Sequence, residues 1–158
     1  MRESIAAMAL IQRRDNGQTA ILCQWNDRWG CFHLVGGHKH PDESFRDCAI
    51  REVEEELALQ HLADFRVDHE PSGCARFTAW SNAAERTTRY IIEVFSAEFT
   101  SDAVRAQVEC DPNNRWLTFD ELTAGMCCDG RPVSRTLPQI LVQLGILDPL
   151  SLFNQEPH

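Results

Sequence analysis

Five of the six residues from 51 to 56 are charged, Arg51, Glu52, Glu54, Glu55 and Glu56, within a stretch, residues 37–59, that reads GHKHPDESFRDCAIREVEEELAL. On a helix turning about 100° per residue, Glu52, Glu55 and Glu56 stand at i, i+3 and i+4 and share one stripe. Like charges so placed repel by a few tenths of a kcal/mol per pair, and a helix that keeps such strain implies a cation. Ser44 followed by Asp47 makes a pair of capping-box type, and Pro41 lies just upstream, so the helix is predicted to begin near Ser44. Ala49, Ile50, Val53 and Leu57 form an apolar stripe about 120° around the wheel. One face packs and the other binds.

The same residues resemble the Nudix box, GX5EX7REUXEEXGU with U a bulky aliphatic residue. Gly37, Glu43, Arg51, Glu52, Val53, Glu55, Glu56 and Leu59 all fall on the pattern. Ala58 departs from it, standing where the pattern has glycine. Glycine at a helix end supplies a left-handed cap without steric cost, so alanine predicts a right-handed exit or a helix running on to Gln60. The resemblance implies a Nudix-type α/β/α sandwich, a mixed β-sheet between helices. It also assigns roles: Glu52, Glu55 and Glu56 match the family's metal ligands, with a carbonyl of the glycine pair, at Gly37, joining them. Glu43 and Arg51 match a pair that orients the site.

Hard oxygen ligands at this density select Mg²⁺ or Mn²⁺, ions that keep several waters and bridge to phosphates. The expected reaction is therefore divalent-metal-dependent hydrolysis of a phosphoanhydride in a nucleoside diphosphate joined to another group. The general base is expected within the box, at Glu52 or Glu55, with Glu98 and Glu109 as downstream alternatives. Substrate contacts fall outside the box. Trp25, Trp29, Trp80 and Tyr90 are candidates to stack a base, and Lys39, Arg76, Arg86 and Arg89 to meet phosphates. Two other readings remain open: a catalytically inactive, Nudix-like nucleotide-binding sensor, and isopentenyl-diphosphate isomerase chemistry, which wants further catalytic residues that Cys31 and Cys74 do not announce.

Composition narrows the partners. A net charge of −9 argues against general affinity for nucleic acid, which needs a basic footprint. An anionic substrate must then be held locally, through ions bridging carboxylates and phosphates. The chain's 158 residues suit one domain, expected over residues 1–158 with a weakly ordered tail from about 148. Apolar runs are too short to span a bilayer and no leader pattern is present, so a cytoplasmic location is expected. Seven cysteines without CxxC spacing read as reduced thiols. Cys31, His33, His38 and His40 are close enough in sequence to suggest zinc, but spacing along a strand does not orient four ligands, and no zinc site is expected. A homodimer is compatible with the family analogy.

Read in order, residues 5–13 and 19–25 form a hairpin around Asp15, Asn16 and Gly17. A short strand over 31–35 leads into a turn at Gly36 and Gly37. Strands are predicted at 65–69, 74–80, 89–99 and 115–119, with a short helix at 101–109 and a helical turn at Asp120 and Glu121. Tyr90, Ile92 and Val94 point to one face and Ile91, Phe95 and Phe99 to the other, which implies a sheet covered on both sides. A terminal core helix over 134–147 has Pro138 in its first turn.

Overall fold

A computed structural model describes residues 1–153. The hairpin forms from β1 (Arg2–Asp15) and β2 (Gln18–Asn26), joined by Asn16 and Gly17. Both turn residues have positive φ, 50° and 79°, the backbone that a two-residue hairpin loop requires. β3 (Cys31–His38) follows, then helix α1 (Phe45–Leu57) and the strands β4 (Phe65–Val67), β5 (Gly73–Ser81) and β6 (Arg86–Phe99). Helix α2 (Asp102–Glu109), β7 (Asn114–Thr118) and the helices α3 (Phe119–Ala124), α4 (Leu137–Gln143) and α5 (Pro149–Phe153) complete the order.

Among the described residues, seven strands make one mixed sheet ordered β4-β6-β1-β3-β2-β7, with β5 also on β6. β1 runs parallel to β6 over ten residue pairs, from Arg2 opposite Thr88 to Ile11 opposite Ala97, and antiparallel to β3 and β2. Because side chains alternate along a strand, Ala6, Met8 and Leu10 enter one core while Ala7, Ala9 and Ile11 enter the other. β6 splits the same way, Ile92 and Val94 against Phe95, as its two-faced pattern predicts. Helices α3 and α4 cover the first face through Leu122, Leu137, Ile140 and Leu141; α1 covers the second through Cys48, Ala49, Val53 and Leu57. Burying Val53 and Leu57 contributes roughly 1.5–3 kcal/mol each. The fold is the α/β sandwich expected, a mixed sheet between helices.

Three local expectations are corrected. Ala58 takes a left-handed conformation, φ 53° and ψ 47°, and α1 stops at Leu57, so alanine adopts the cap that glycine would make. Gly36 and Gly37 lie inside β3 without positive φ, rather than in a turn. What they supply is close approach: a Cβ on Gly36 would strike the Ala7 carbonyl and Met8 of the neighbouring strand. α4 is half the predicted length. Before it, the Ser134 amide bonds the Phe32 carbonyl at 2.8 Å and extends β3's hydrogen bonding; after it, Gly145 turns the chain with φ 75°. The stretch expected to be a weakly ordered tail includes α5, and its residues 154–158 lie outside the described residues.

Candidate active site

Helix α1 begins as its sequence dictates. The Ser44 hydroxyl accepts the Asp47 amide at 3.0 Å and the first turn carries Asp47. The loop before it is fixed by Glu43, whose Oε1 accepts the His40 amide at 2.8 Å. From α1, Arg51 reaches back to this carboxylate with two hydrogen bonds, Nε to Oε2 at 3.1 Å and Nη2 to Oε1 at 2.8 Å. The fork matches the carboxylate's two oxygens, the geometry in which arginine is strongest. Hydrogen bonds from Arg51, and then from the His40 amide, hold the Glu43 carboxyl down to about 2, and the same partner pushes the Arg51 guanidinium further up. Arg51 also donates to the His38 carbonyl at 3.1 Å, tying helix, loop and strand together.

Its remaining nitrogen, Nη1, lies 3.1 Å from Glu52 Oε1 and 3.3 Å from Glu55 Oε2. Glu52 is buried against β3, at 9% exposure, and Gly37 makes room for it. A Cβ on Gly37 would sit 2.5 Å from Glu52 Oε1 and 2.9 Å from Oε2. Glu56 is half-buried one turn on. Burial first, and then the charge of Glu52, push its carboxyl up to about 7, against a hydrogen bond from the Gly36 amide. Two carboxylates sharing one partly buried place on a strand edge are what a divalent cation would relieve, so the donor set fits a hard ion. Glu55 belongs to the same stripe, but its side chain is 60% exposed and turned to Arg51. The Gly37 carbonyl accepts the Cys48 thiol at 3.5 Å. Burial raises that thiol to about 11, keeping it a neutral donor and leaving the carbonyl a second lone pair.

The other candidates scatter. Glu109, on α2, is tied to Arg105 at 2.8 Å and to the Trp116 indole at 3.3 Å, and its carboxyl is held down, chiefly by Arg105. Glu98 lines a cavity of its own with Arg105 and Trp116. Tyr90 stacks on Phe77 with ring centroids 5.1 Å apart, Trp25 packs edge-on to Phe32, and Trp80 stands 63% exposed on β5. Arg89 lies 3.7 Å from Glu3, and Lys39 covers the Phe45 ring. His33 faces Thr136 at 3.4 Å, His38 faces Ser4 at 3.3 Å and His40 approaches Glu43. Burial lowers His33 to about 4, so its ring is neutral.

Two features escape the sequence. Gln24 on β2 donates both to the Glu56 carbonyl at 3.1 Å and to Asn114 Oδ1 at 3.0 Å, pinning the end of α1 to the sheet. A polar residue following buried Leu22 on the same strand face is its only signal. Glu121, Cys127 and Cys128 bring ligand atoms within 4.8 Å of one another. The Glu121 carboxylate there already accepts the Thr118 and Cys128 amides, which makes it the buttress of a loop.

A two-cored mixed sheet bearing an acidic helix locked to its entry loop by an arginine–glutamate fork defines a class, and comparison with known proteins agrees. Residues 3–137 match the family model described as NUDIX domain, and the chain belongs to the Nudix family. Among solved structures, it is similar to Shewanella oneidensis NrtR, with a TM-score of 0.61 at 14% identity over 89% of this chain. It spans 60% of that protein's length. The NUDIX domain of the same protein, solved with ADP ribose, gives 0.59 at 15% identity, covering 90% of this chain and 86% of that one. C. elegans Ap4A hydrolase gives 0.53 at 15% identity, covering 78% and 86%. No curated protein matches the sequence. Among the described residues, no helix is long and apolar enough to cross a membrane.

Proposed function

We propose that the protein hydrolyses a phosphoanhydride bond in a nucleoside diphosphate linked to another group, using Mg²⁺ or Mn²⁺. The observation that carries this reading is the Glu52–Glu56 pair, Glu52 set against Gly37 and held by Arg51 of the Arg51–Glu43 fork, Glu56 beside the Gly36 amide. Glu52, Glu56 and Glu55, with the Gly37 carbonyl, would hold the ion. When bound, it would neutralise charge developing on the phosphoryl group and lower the pKa of an attacking water. Arg51 keeps Glu52 directed at the strand edge and Glu55 within reach of it. A box carboxylate, Glu52 or Glu55, takes the proton from water as the new P–O bond forms. The bridging P–O bond breaks, and the leaving phosphate takes its electron pair. Membership of the family supports the chemistry, and the ADP ribose and Ap4A named for two structural neighbours support nucleotide-type substrates.

A panel of nucleotide sugars, dinucleoside polyphosphates, ADP-ribose, coenzyme A and nucleoside triphosphates, each with Mg²⁺ or Mn²⁺, tests the reading beside Glu56→Gln. Release of a nucleoside monophosphate or phosphate by the unaltered protein alone is the expected result. Tight nucleotide binding with no turnover of any compound would instead establish a sensor.

A further inference from the structure

Cys127 and Cys128 are adjacent in sequence, and on an extended strand adjacent side chains point to opposite faces. Here the two sulfurs converge instead, and with a carboxylate oxygen of Glu121 they lie within 4.8 Å of one another. The turn that follows brings them together. The Gly130 amide donates to the Cys127 carbonyl at 2.9 Å, Gly130 takes φ 89°, and the Cys127 amide donates to the Arg131 carbonyl at 2.8 Å. Past the turn, the Phe32 amide donates to the Pro132 carbonyl at 3.0 Å and anchors the loop to β3. Glu121 is held as firmly. Its Oε1 accepts the Thr118 amide and hydroxyl at 3.1 and 3.3 Å and its Oε2 accepts the Cys128 amide at 2.7 Å, so a lone pair of Oε2 remains.

Arg115 borders the cluster, with Nη2 donating to Cys128 Sγ at 3.3 Å and Nη1 to Asp129 Oδ2 at 2.6 Å; Arg131 Nε shares that oxygen at 2.9 Å. With both thiols and Glu121 ionised, these groups together carry two negative charges, which one divalent ion balances. Cys127 is buried in the core on the α3–α4 face of the sheet, whereas α1 covers the opposite face. The sheet therefore stands between this cluster and the carboxylates of α1.

We infer that Cys127, Cys128 and Glu121 form a second cation site, one that takes Zn²⁺ and is independent of the function proposed above. Thiolate ligands select a borderline-soft ion and bind Mg²⁺ poorly. Ligand atoms around a tetrahedral zinc stand about 3.5 Å apart, so side-chain rotation alone closes the set. Binding releases the two thiol protons to solvent, and water fills the fourth position beside exposed Cys128. The ion then ties α3 to the loop that is anchored on β3.

Titration of the reduced, full-length protein with Co²⁺, a spectroscopic substitute for zinc, tests the site by absorbance. A thiolate-to-cobalt charge-transfer band is expected, removed by Zn²⁺ and untouched by Mg²⁺. Cys128→Ser, a change at the surface, should abolish the band and weaken Zn²⁺ binding by more than about a hundredfold, beyond the effect of losing an outer partner. Cys127→Ser should do the same. Cys74→Ser and Cys110→Ser, which alter exposed thiols elsewhere, should keep the band, and so should Glu56→Gln. Zinc at a hundredfold excess over its Kd should raise the melting temperature of the unaltered protein by roughly 5 °C or more and leave that of Cys128→Ser unchanged. Absence of a cobalt–thiolate band, its survival in Cys128→Ser, or its loss in Glu56→Gln would overturn the site.

Discussion

Arg51 and Glu43 meet through two near-parallel hydrogen bonds of 3.1 and 2.8 Å, and this one contact joins the loop entering α1 to the middle of the helix. Its strength depends on pH in a definite direction. The folded-state carboxyl of Glu43 titrates near 2, below its ordinary 4.5, so the stabilisation it brings is complete above about 4.5 and is lost as pH falls through about 2. Thermal melts from pH 6 to pH 2 should show the unaltered protein losing stability across that window more steeply than Glu43→Gln. Parallel curves would mean the fork adds nothing to folding.

Gly37→Ala is expected to fold and to lose function. The added methyl would lie 2.5–2.9 Å from the Glu52 carboxyl group, at the end of a side chain that can rotate away. Turnover should fall by about a hundredfold or more while the melting temperature changes by a few degrees, because misplacing one aligned group by an ångström has that order of effect. Manganese electron paramagnetic resonance should report weaker ion uptake in the same variant.

Ala58→Gly is expected to stabilise. A left-handed alanine costs roughly 1–2 kcal/mol, and glycine returns up to about 1 kcal/mol of that through its freer unfolded chain. A net gain of about 0.5 kcal/mol corresponds to a rise of roughly 1–2 °C in melting temperature for a chain of this size. An unchanged or lowered melting point would contradict the strain assigned to φ 53°.

Glu109→Gln and Glu56→Gln should separate cleanly. Glu109 is occupied by Arg105 and Trp116, and removing that exposed ion pair should cost under about 1 kcal/mol in stability and leave kcat within about twofold. Glu56→Gln should lower kcat by several orders of magnitude. A large loss in Glu109→Gln would move the general base out of the box.

The acidic helix, its Ser44 cap, its two faces and the Arg51–Glu43 pairing were all legible because each depends on spacing within some fifteen residues. The alternating apolar residues of β6 likewise announced a doubly covered sheet. Features that depend on a second segment were not legible. Gly36 and Gly37 looked like a turn because the carbonyl of Ala7 and the carboxylate of Glu52 that demand them lie elsewhere in the chain. The predicted helix over 134–147 lost its start to pairing of Ser134 with Phe32, about a hundred positions earlier.

The parallel pairing of β1 with β6 sets an order of events during synthesis. The first strand has no lasting partner on that flank until residues 88–97 have left the ribosome, and parallel partners so distant in sequence close slowly. Until then the apolar run from Ala6 to Ile11 has one open edge, and the face that α3 and α4 cover, with Ala6, Met8 and Leu10, has no shelter. A nascent chain halted before Arg86 would therefore be a substrate for chaperones or a seed for aggregation, and one released after Phe99 could close the central sheet.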